Sequence, residues 1–494
     1  MNITDFVKKI VKSDLWKAVI LFLTITICYM TVRIVNSSLY EIPIKLSMIL
    51  GIIVLLVYAG ILNKKQKLTT EKIITLLMFA GFIMRIGYMA YTPCNVRSHD
   101  LWEIDINSSG HAAYILTLLT EHRLPDTNDI QFYQQPFFYM LGSSVSSLVN
   151  NLLGSSNPYN LVDATKIVSC TASCSTLFLT DKLSRKCGIG NKGRMVAVAF
   201  IAFLPTFFLT GGCISPDALA ALFMVLEFFY TLKWYENASL QNTILLAIIY
   251  GLGVMTKFSC GTVALFTSGI FFYSLWKSIK QKNAVVYIKK FIIFGIISLP
   301  IGLWYSVRNY IKFGQPFGYV LQIPNTSDLY TGEYSLIARV LSVSLKNIVS
   351  TPYTHVLDDY NAPVYFLKSS LFGEFVFQIP GVFPCLLLYA EAVIVMVTLG
   401  AVIWQYKRNR MDCWGNLLLV MTVIFYLSVN LFYIRYPFGC SMDYRYMGFL
   451  SITSVTLLAK YYEKSDVCKN WFCKLLPQTL TCFCISSCIT YLLI

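Results

Sequence analysis

The chain has 494 residues, 56% hydrophobic and only 13% charged, with a mean hydropathy of +0.61 and a net charge of +15. A soluble globular protein is about a quarter charged, so this composition excludes a soluble enzyme, a disordered chain and a fibrous one. Apolar runs of roughly 20 residues recur from one end to the other, the pattern of an all-α polytopic membrane protein.

In chain order, MNITDFVKKIVKSDLWK leads into an apolar segment with no small-residue cleavage site. It reads as an uncleaved first span, not a removable signal. Spans are expected at 16–36, 43–62, 73–92, 160–180, 195–212, 217–235, 240–256, 260–276, 291–307, 377–404, 415–434, 446–461 and 475–494, thirteen in all. With the N-terminus inside, the inner segments 1–17, 62–72, 181–194, 233–239, 277–290, 405–413 and 460–474 hold 26 Lys and Arg against 13 on the opposite side. Cytoplasmic loops carry such an excess, so the net charge needs no nucleic-acid partner. The 15 cysteines form no CxxC pair and no Cys/His spacing that suits zinc. Inside apolar runs they read as small hydrophobes.

Two outer loops, 93–159 and 308–376, exceed what a connection needs, and the first holds an amphipathic stretch near 136–152. Long loops of this kind tend to carry function, which puts the working face outside. The chain divides into an N-terminal pair of spans with its inner loop (1–72), a core with both large loops (73–461), and a last loop and span (462–494). No Walker motif and no internal repeat point to ATP-driven or inverted-repeat transport. Arg85, Glu227 and Glu391 fall within spans, where a charge is a functional hypothesis by default. Asn36, Asn107 and Asn325 begin N-x-Ser/Thr sequons on outer loops, a pattern common by chance.

The first outer loop reads RSHDLWEIDINSSGHAAYILTLLTEHRLPDTNDIQFYQQPFFYML and clusters Arg97, His99, Asp100, Glu103, Asp105 and His111 just after a span. This stretch resembles the first outer loop of family 39 glycosyltransferases, in the C-type superfamily that includes protein O-mannosyltransferases and the lipid A aminoarabinose transferase. The likeness lies in Arg97-x-His99-Asp100, GHAAYI from Gly110, Leu124-Pro125 and Phe132 to Pro136. It continues through SPDALAALF at 215–223, GLGVMTKFS at 251–259, WYSVRNYIKFGQPFG at 304–318, LKSSLFGEF at 367–375 and PFGCSMDYRYM at 437–447. It covers roughly residues 70–460, and order and spacing carry it rather than any one motif. The family's imidazole or ammonium just before the Pro is replaced here by Gln134 and Gln135.

The resemblance implies a C-type fold with juxtamembrane helices in the large loops, a polyprenyl-phosphate sugar donor, and transfer with inversion to a lipid, polysaccharide or protein acceptor. A bacterial plasma membrane fits it better than endoplasmic reticulum. An acceptor hydroxyl is a poor nucleophile, and a positioned carboxylate can take its proton as the transition state forms. Asp100 is the expected base; a helix cap at the membrane surface is the plain alternative. Asp217 either caps the span it opens or joins Asp100 in holding a divalent cation. Lys257 and Arg308 are expected at the donor phosphate, with Arg97, His99, His111, Gln134, Lys368, Glu374, Asp443 and Arg445 as further substrate-binding candidates. A transporter or lipid flippase, and a noncatalytic assembly factor on a transferase scaffold, are the other readings.

Overall fold

Helix ends fall where the sequence supplies caps. The structure is a computed structural model and describes residues 14–35, 41–355, 358–408, 411–463 and 471–494. Most of the segment 1–17, the Asn36 sequon and residues 464–470 of the inner segment 460–474 lie outside the described residues. The first spans are α1 (Asp14–Val35), α2 (Glu41–Lys64) and α3 (Thr70–Tyr91). Thr69 caps α3 by accepting from the Lys72 backbone N–H, which satisfies one of the orphan donors of the first turn.

The first outer loop carries α4 (Gly110–Thr120), α5 (Phe137–Leu153) and the short α6 (Pro158–Asp163). The amphipathic stretch is thus α5, closed by Gly154 in the left-handed region at φ 63°. Then come α7 (Lys166–Lys186), α8 (Asn191–Phe203), α9 (Thr206–Gly212), α10 (Asp217–Glu236), α11 (Leu240–Thr256), α12 (Val263–Lys280) and α13 (Ala284–Phe313). The second outer loop holds α14 (Leu336–Val340), α15 (Leu345–Ser350) and α16 (Ala362–Phe372). The chain ends in α17 (Val382–Lys407), α18 (Cys413–Arg435), α19 (Gly448–Glu463) and α20 (Trp471–Leu493).

The protein is all-α, with one isolated β-bridge, Tyr330 to Phe438, among the described residues. Each of the thirteen expected spans coincides with a helix or a broken pair. Among the described residues, nine are long and apolar enough to cross a membrane, or ten if α8 and α9 form one bent span. The others have physical reasons to fall short. Ser, Thr and charge dilute α7, which is largely buried among its neighbours. Helices α11 and α19 have only 17 and 16 residues. Conversely, α13 runs 30 residues, past both ends of the expected 291–307, with Pro300 inside it.

Helices α8 and α9 meet at a 48° bend. Pro205 has no N–H, so the Ile201 carbonyl one turn back loses its helical donor. Arg85 Nη2 donates to that carbonyl at 2.5 Å, and Nη1 donates to the Ser173 carbonyl at 2.9 Å. The Ser487 hydroxyl donates to the Phe203 carbonyl at 2.6 Å. The intramembrane Arg85 is therefore a structural donor that supports a broken helix. Glu391 accepts from the Ser370 hydroxyl at 2.8 Å, whereas neither Glu227 oxygen has a hydrogen-bond partner.

Ends assigned to one side of the membrane gather together. Glu71 at the start of α3 pairs with Arg185 near the end of α7 and with Arg194 at the start of α8. Lys186 pairs with Glu236 at the end of α10. At the opposite end, Asp217 opening α10 meets Lys257 after α11. The sequons at Asn107 and Asn325 are exposed.

Candidate functional site

The loop after α3 turns sharply. Arg97, Asp100 and Trp102 all have left-handed backbone, with φ of 53°, 54° and 58°. Non-glycine residues adopt this conformation at a cost of about 1–3 kcal/mol, usually where the surroundings over-determine it. Here α4 does so. Its His111 N–H donates to the Asp100 carbonyl at 3.0 Å, and its Ala112 N–H donates to the Leu101 carbonyl at 3.2 Å. The loop thereby caps the helix, and the helix fixes the loop. Gly110 is required at this joint: its φ is 85°, and a Cβ there would lie 2.6 Å from Trp102 Cδ1. The Asp100 backbone is locked while its carboxylate is 40% exposed.

That carboxylate borders a cavity of about 930 Å³. One part of the wall is polar: Gln131, Tyr133, Gln134, Gln135, Lys257 and Tyr446. Another is apolar, from Val254, Leu265, Leu303, Phe425 and Val429 on α11, α12, α13 and α18. The last turn of α18 adds Arg435. A polar head beside an apolar trough suits an amphiphilic ligand.

Lys257 follows the last turn of α11. Its ammonium donates to Asp217 Oδ1 and lies 4.4 Å from the centroid of the Tyr446 ring. The other Asp217 oxygen accepts from the Ser215 hydroxyl at 3.1 Å. Arg445 stands between carboxylates, with Nη2 3.5 Å from Asp100 Oδ2 and Nε 3.5 Å from Asp443 Oδ2. Burial lowers the Arg445 guanidinium, but Tyr446, Asp443, Asp217 and Asp100 together hold it well above its usual value. His111 is buried, with Nδ1 2.7 Å from the Tyr139 hydroxyl. Burial, against the pull of Asp100 and Asp217, pushes its imidazole down to about 4, so it is neutral near pH 7.

His99 lies between Glu374 and Asp443, with Nδ1 3.3 Å from Glu374 Oε2 and Nε2 3.7 Å from Asp443 Oδ2. Burial raises the Glu374 carboxyl, but the His99 contact and Arg445 lower it further and hold it below the usual range. Burial raises Asp443, a shift only partly offset by His99 and Arg445.

The structure thus brings together His99, Asp100, Gln134, Asp217, Lys257, Glu374, Asp443 and Arg445. It sets others apart. Arg308 does not line the cavity: Nη2 donates to the Pro125 carbonyl at 2.7 Å, and Nη1 donates to Asn309 Oδ1 at 2.9 Å. Its neighbours Ser306 and Asn309 face the cavity instead. The expected phosphate cation is therefore a clamp on the first outer loop. Arg97 donates to the Tyr88 hydroxyl and Thr92 Oγ1, and Lys368 is buried against Asp359 at 2.8 Å. Apart from the expected pair Asp100 and Asp217, the group of three metal-type ligands that converges among the described residues is His99, Glu374 and Asp443.

Arg435 escapes a reading by motif, because it ends an apolar span one residue before YPFG. Among the described residues it is the cavity-lining cation with no carboxylate in salt-bridge reach; its guanidinium stacks 5.4 Å from the Tyr436 ring centroid. The signal for it was its position: an Arg at an outer span end, against the prevailing charge bias.

Residues 163–304 match the family described as dolichyl-phosphate-mannose-protein mannosyltransferase. The resemblance carried by the sequence motifs is found again over this stretch, which includes Asp217 and Lys257. No curated protein matches the chain. Among solved structures, the chain is similar to ArnT from Cupriavidus metallidurans in the apo state, at 13% identity and a TM-score of 0.32, over 73% of this chain and 74% of that one.

Proposed function

We propose that the protein is a multi-pass membrane glycosyltransferase that moves a sugar from a polyprenyl phosphate to an acceptor hydroxyl on the outer face, with inversion. The observation that carries this reading is the partly exposed Asp100 carboxylate at the polar end of a two-natured cavity. The acceptor oxygen attacks the anomeric carbon, its proton passes to Asp100, and the bond from carbon to phosphate oxygen breaks. The electron pair leaves with the polyprenyl phosphate.

Arg435 and Lys257 serve the phosphate. The ammonium of Lys257 is already matched by Asp217, so Arg435 contributes the unmatched charge. A planar guanidinium can also grip two phosphate oxygens at once. The prenyl chain lies along Leu265, Leu303, Phe425 and Val429. Arg445, 3.5 Å from Asp100, orients the base.

The test is turnover of a defined polyprenyl-phosphate sugar by purified protein in nanodiscs. Asp100→Asn keeps the shape and removes the base, so a loss of about 10²–10⁴-fold is expected. Wild-type turnover in that variant would move the base elsewhere. No transfer by the wild-type protein with any acceptor class would favour a transporter or an assembly factor.

A further inference from the structure

We infer that His99, Glu374 and Asp443 form a binding site for a divalent transition cation of the zinc type. The three side chains come from three separate segments: the loop after α3, the turn after α16, and the link between α18 and α19. Each offers one ligand atom, and those atoms lie within 4.8 Å of one another.

A second observation points to a missing partner. Asp443 is 1% exposed. Its Oδ1 accepts from the Arg445 backbone N–H at 2.9 Å, yet its Oδ2 has no hydrogen-bond partner. A buried carboxylate oxygen without a donor is costly. The nearest groups are His99 Nε2 at 3.7 Å and Arg445 Nε at 3.5 Å, both beyond a good hydrogen bond. The Arg445 Nε is itself without a hydrogen-bond partner. Oδ2 faces His99 Nε2 and Arg445 Nε without a good hydrogen bond to either, and a cation shared with His99 would complete it.

The donor set decides the ion. One imidazole and two carboxylates suit zinc, which takes N and O ligands at about 2.0–2.2 Å and accepts three protein ligands with an open fourth position. Magnesium and calcium prefer oxygen alone. The widest gap must close toward the roughly 3.3 Å edge of a tetrahedron with such bonds. Glu374, with 32% of its side chain exposed, has the freedom to move. Gly373, at φ 59°, makes the turn that delivers it. Held by an ion, His99 would pin three segments together and fix its chain neighbour Asp100.

The site stands apart from the transferase reading, since its test needs no sugar. Full-length protein in nanodiscs is stripped with chelator, dialysed against zinc or magnesium chloride, and measured for bound metal and for melting temperature. Expected are about one zinc per chain and a melting temperature raised by zinc but not by magnesium. His99→Gln, Glu374→Gln and Asp443→Asn should each weaken zinc binding by more than about tenfold. If Asp443→Asn fails to fold, the partly exposed His99 and Glu374 decide the matter. The inference is overturned if the wild-type protein keeps no zinc, if magnesium binds equally well, or if zinc survives unchanged in the variants, which would assign it to cysteines.

Discussion

Single residues divide into those that touch the cavity and those that hold it. Arg435→Gln should cost about 1.5–3 kcal/mol of phosphate binding, the range for a hydrogen bond to a charged group. That is a rise of roughly 10–100-fold in apparent donor KM. Arg308→Gln should leave the donor dependence intact and instead loosen the loop held through the Pro125 carbonyl. Donor titration of the two variants side by side separates a ligand contact from a clamp, and a donor defect in Arg308→Gln alone would reverse the assignment. His111 adds a pH dependence. Its imidazole sits at about 4 in the folded protein, chiefly through burial, against about 6.5 unfolded. The unfolded chain therefore binds the proton first, and stability falls as pH drops from about 6.5 to about 4. The full effect is on the order of 3 kcal/mol. Melting curves across that range should slope less in His111→Gln, which keeps a polar partner for Tyr139.

At the scale of elements, the broken helix α8–α9 gives the sharpest expectation. Arg85→Met leaves the Ile201 carbonyl without its donor, at about 1–3 kcal/mol for the orphaned group, while the Ser173 carbonyl keeps the Thr176 hydroxyl at 2.6 Å. Pro205→Ala restores an N–H where Ile201 can use it. The cost of Arg85→Met should therefore shrink in a Pro205→Ala background, and equal costs in both would detach the arginine from the break. Helix positions were legible because apolar runs, caps and basic inner loops are local signals. The bend at Pro205 and the length of α13 were not, because a side chain 116 residues away decides the first and loop packing the second. The site was half legible for the same reason. Asp100, His99, Lys257 and Arg445 stand in recognisable motifs, whereas the turning of Arg308 onto Pro125 and the placing of Arg435 on the cavity are outcomes of packing between distant loops. Asp100 could be named from its motif, but its left-handed backbone, enforced by α4, appears only in three dimensions.

For the whole molecule, the charge asymmetry of 26 against 13 predicts an inside N-terminus, an outside C-terminus and thirteen crossings. Cysteine labelling at Asn107 and Asn325 from the outer side, and at Lys282 from the inner side, checks it; labelling of 93–159 from inside would undo both the topology and the proposed working face. Arg85 also has a consequence for biogenesis. It enters the bilayer with α3, before either of its carbonyl partners, Ser173 and Ile201, has been made. A central arginine costs roughly 2.5–3.5 kcal/mol on insertion scales. During synthesis α3 is thus a reluctant span, and it settles only when α7 and α8 arrive to receive its guanidinium. Chains truncated just after α3 should show fractional insertion of that segment, those truncated after α9 nearly complete insertion, and the difference should vanish in Arg85→Leu, whose α3 no longer waits for the helices that follow.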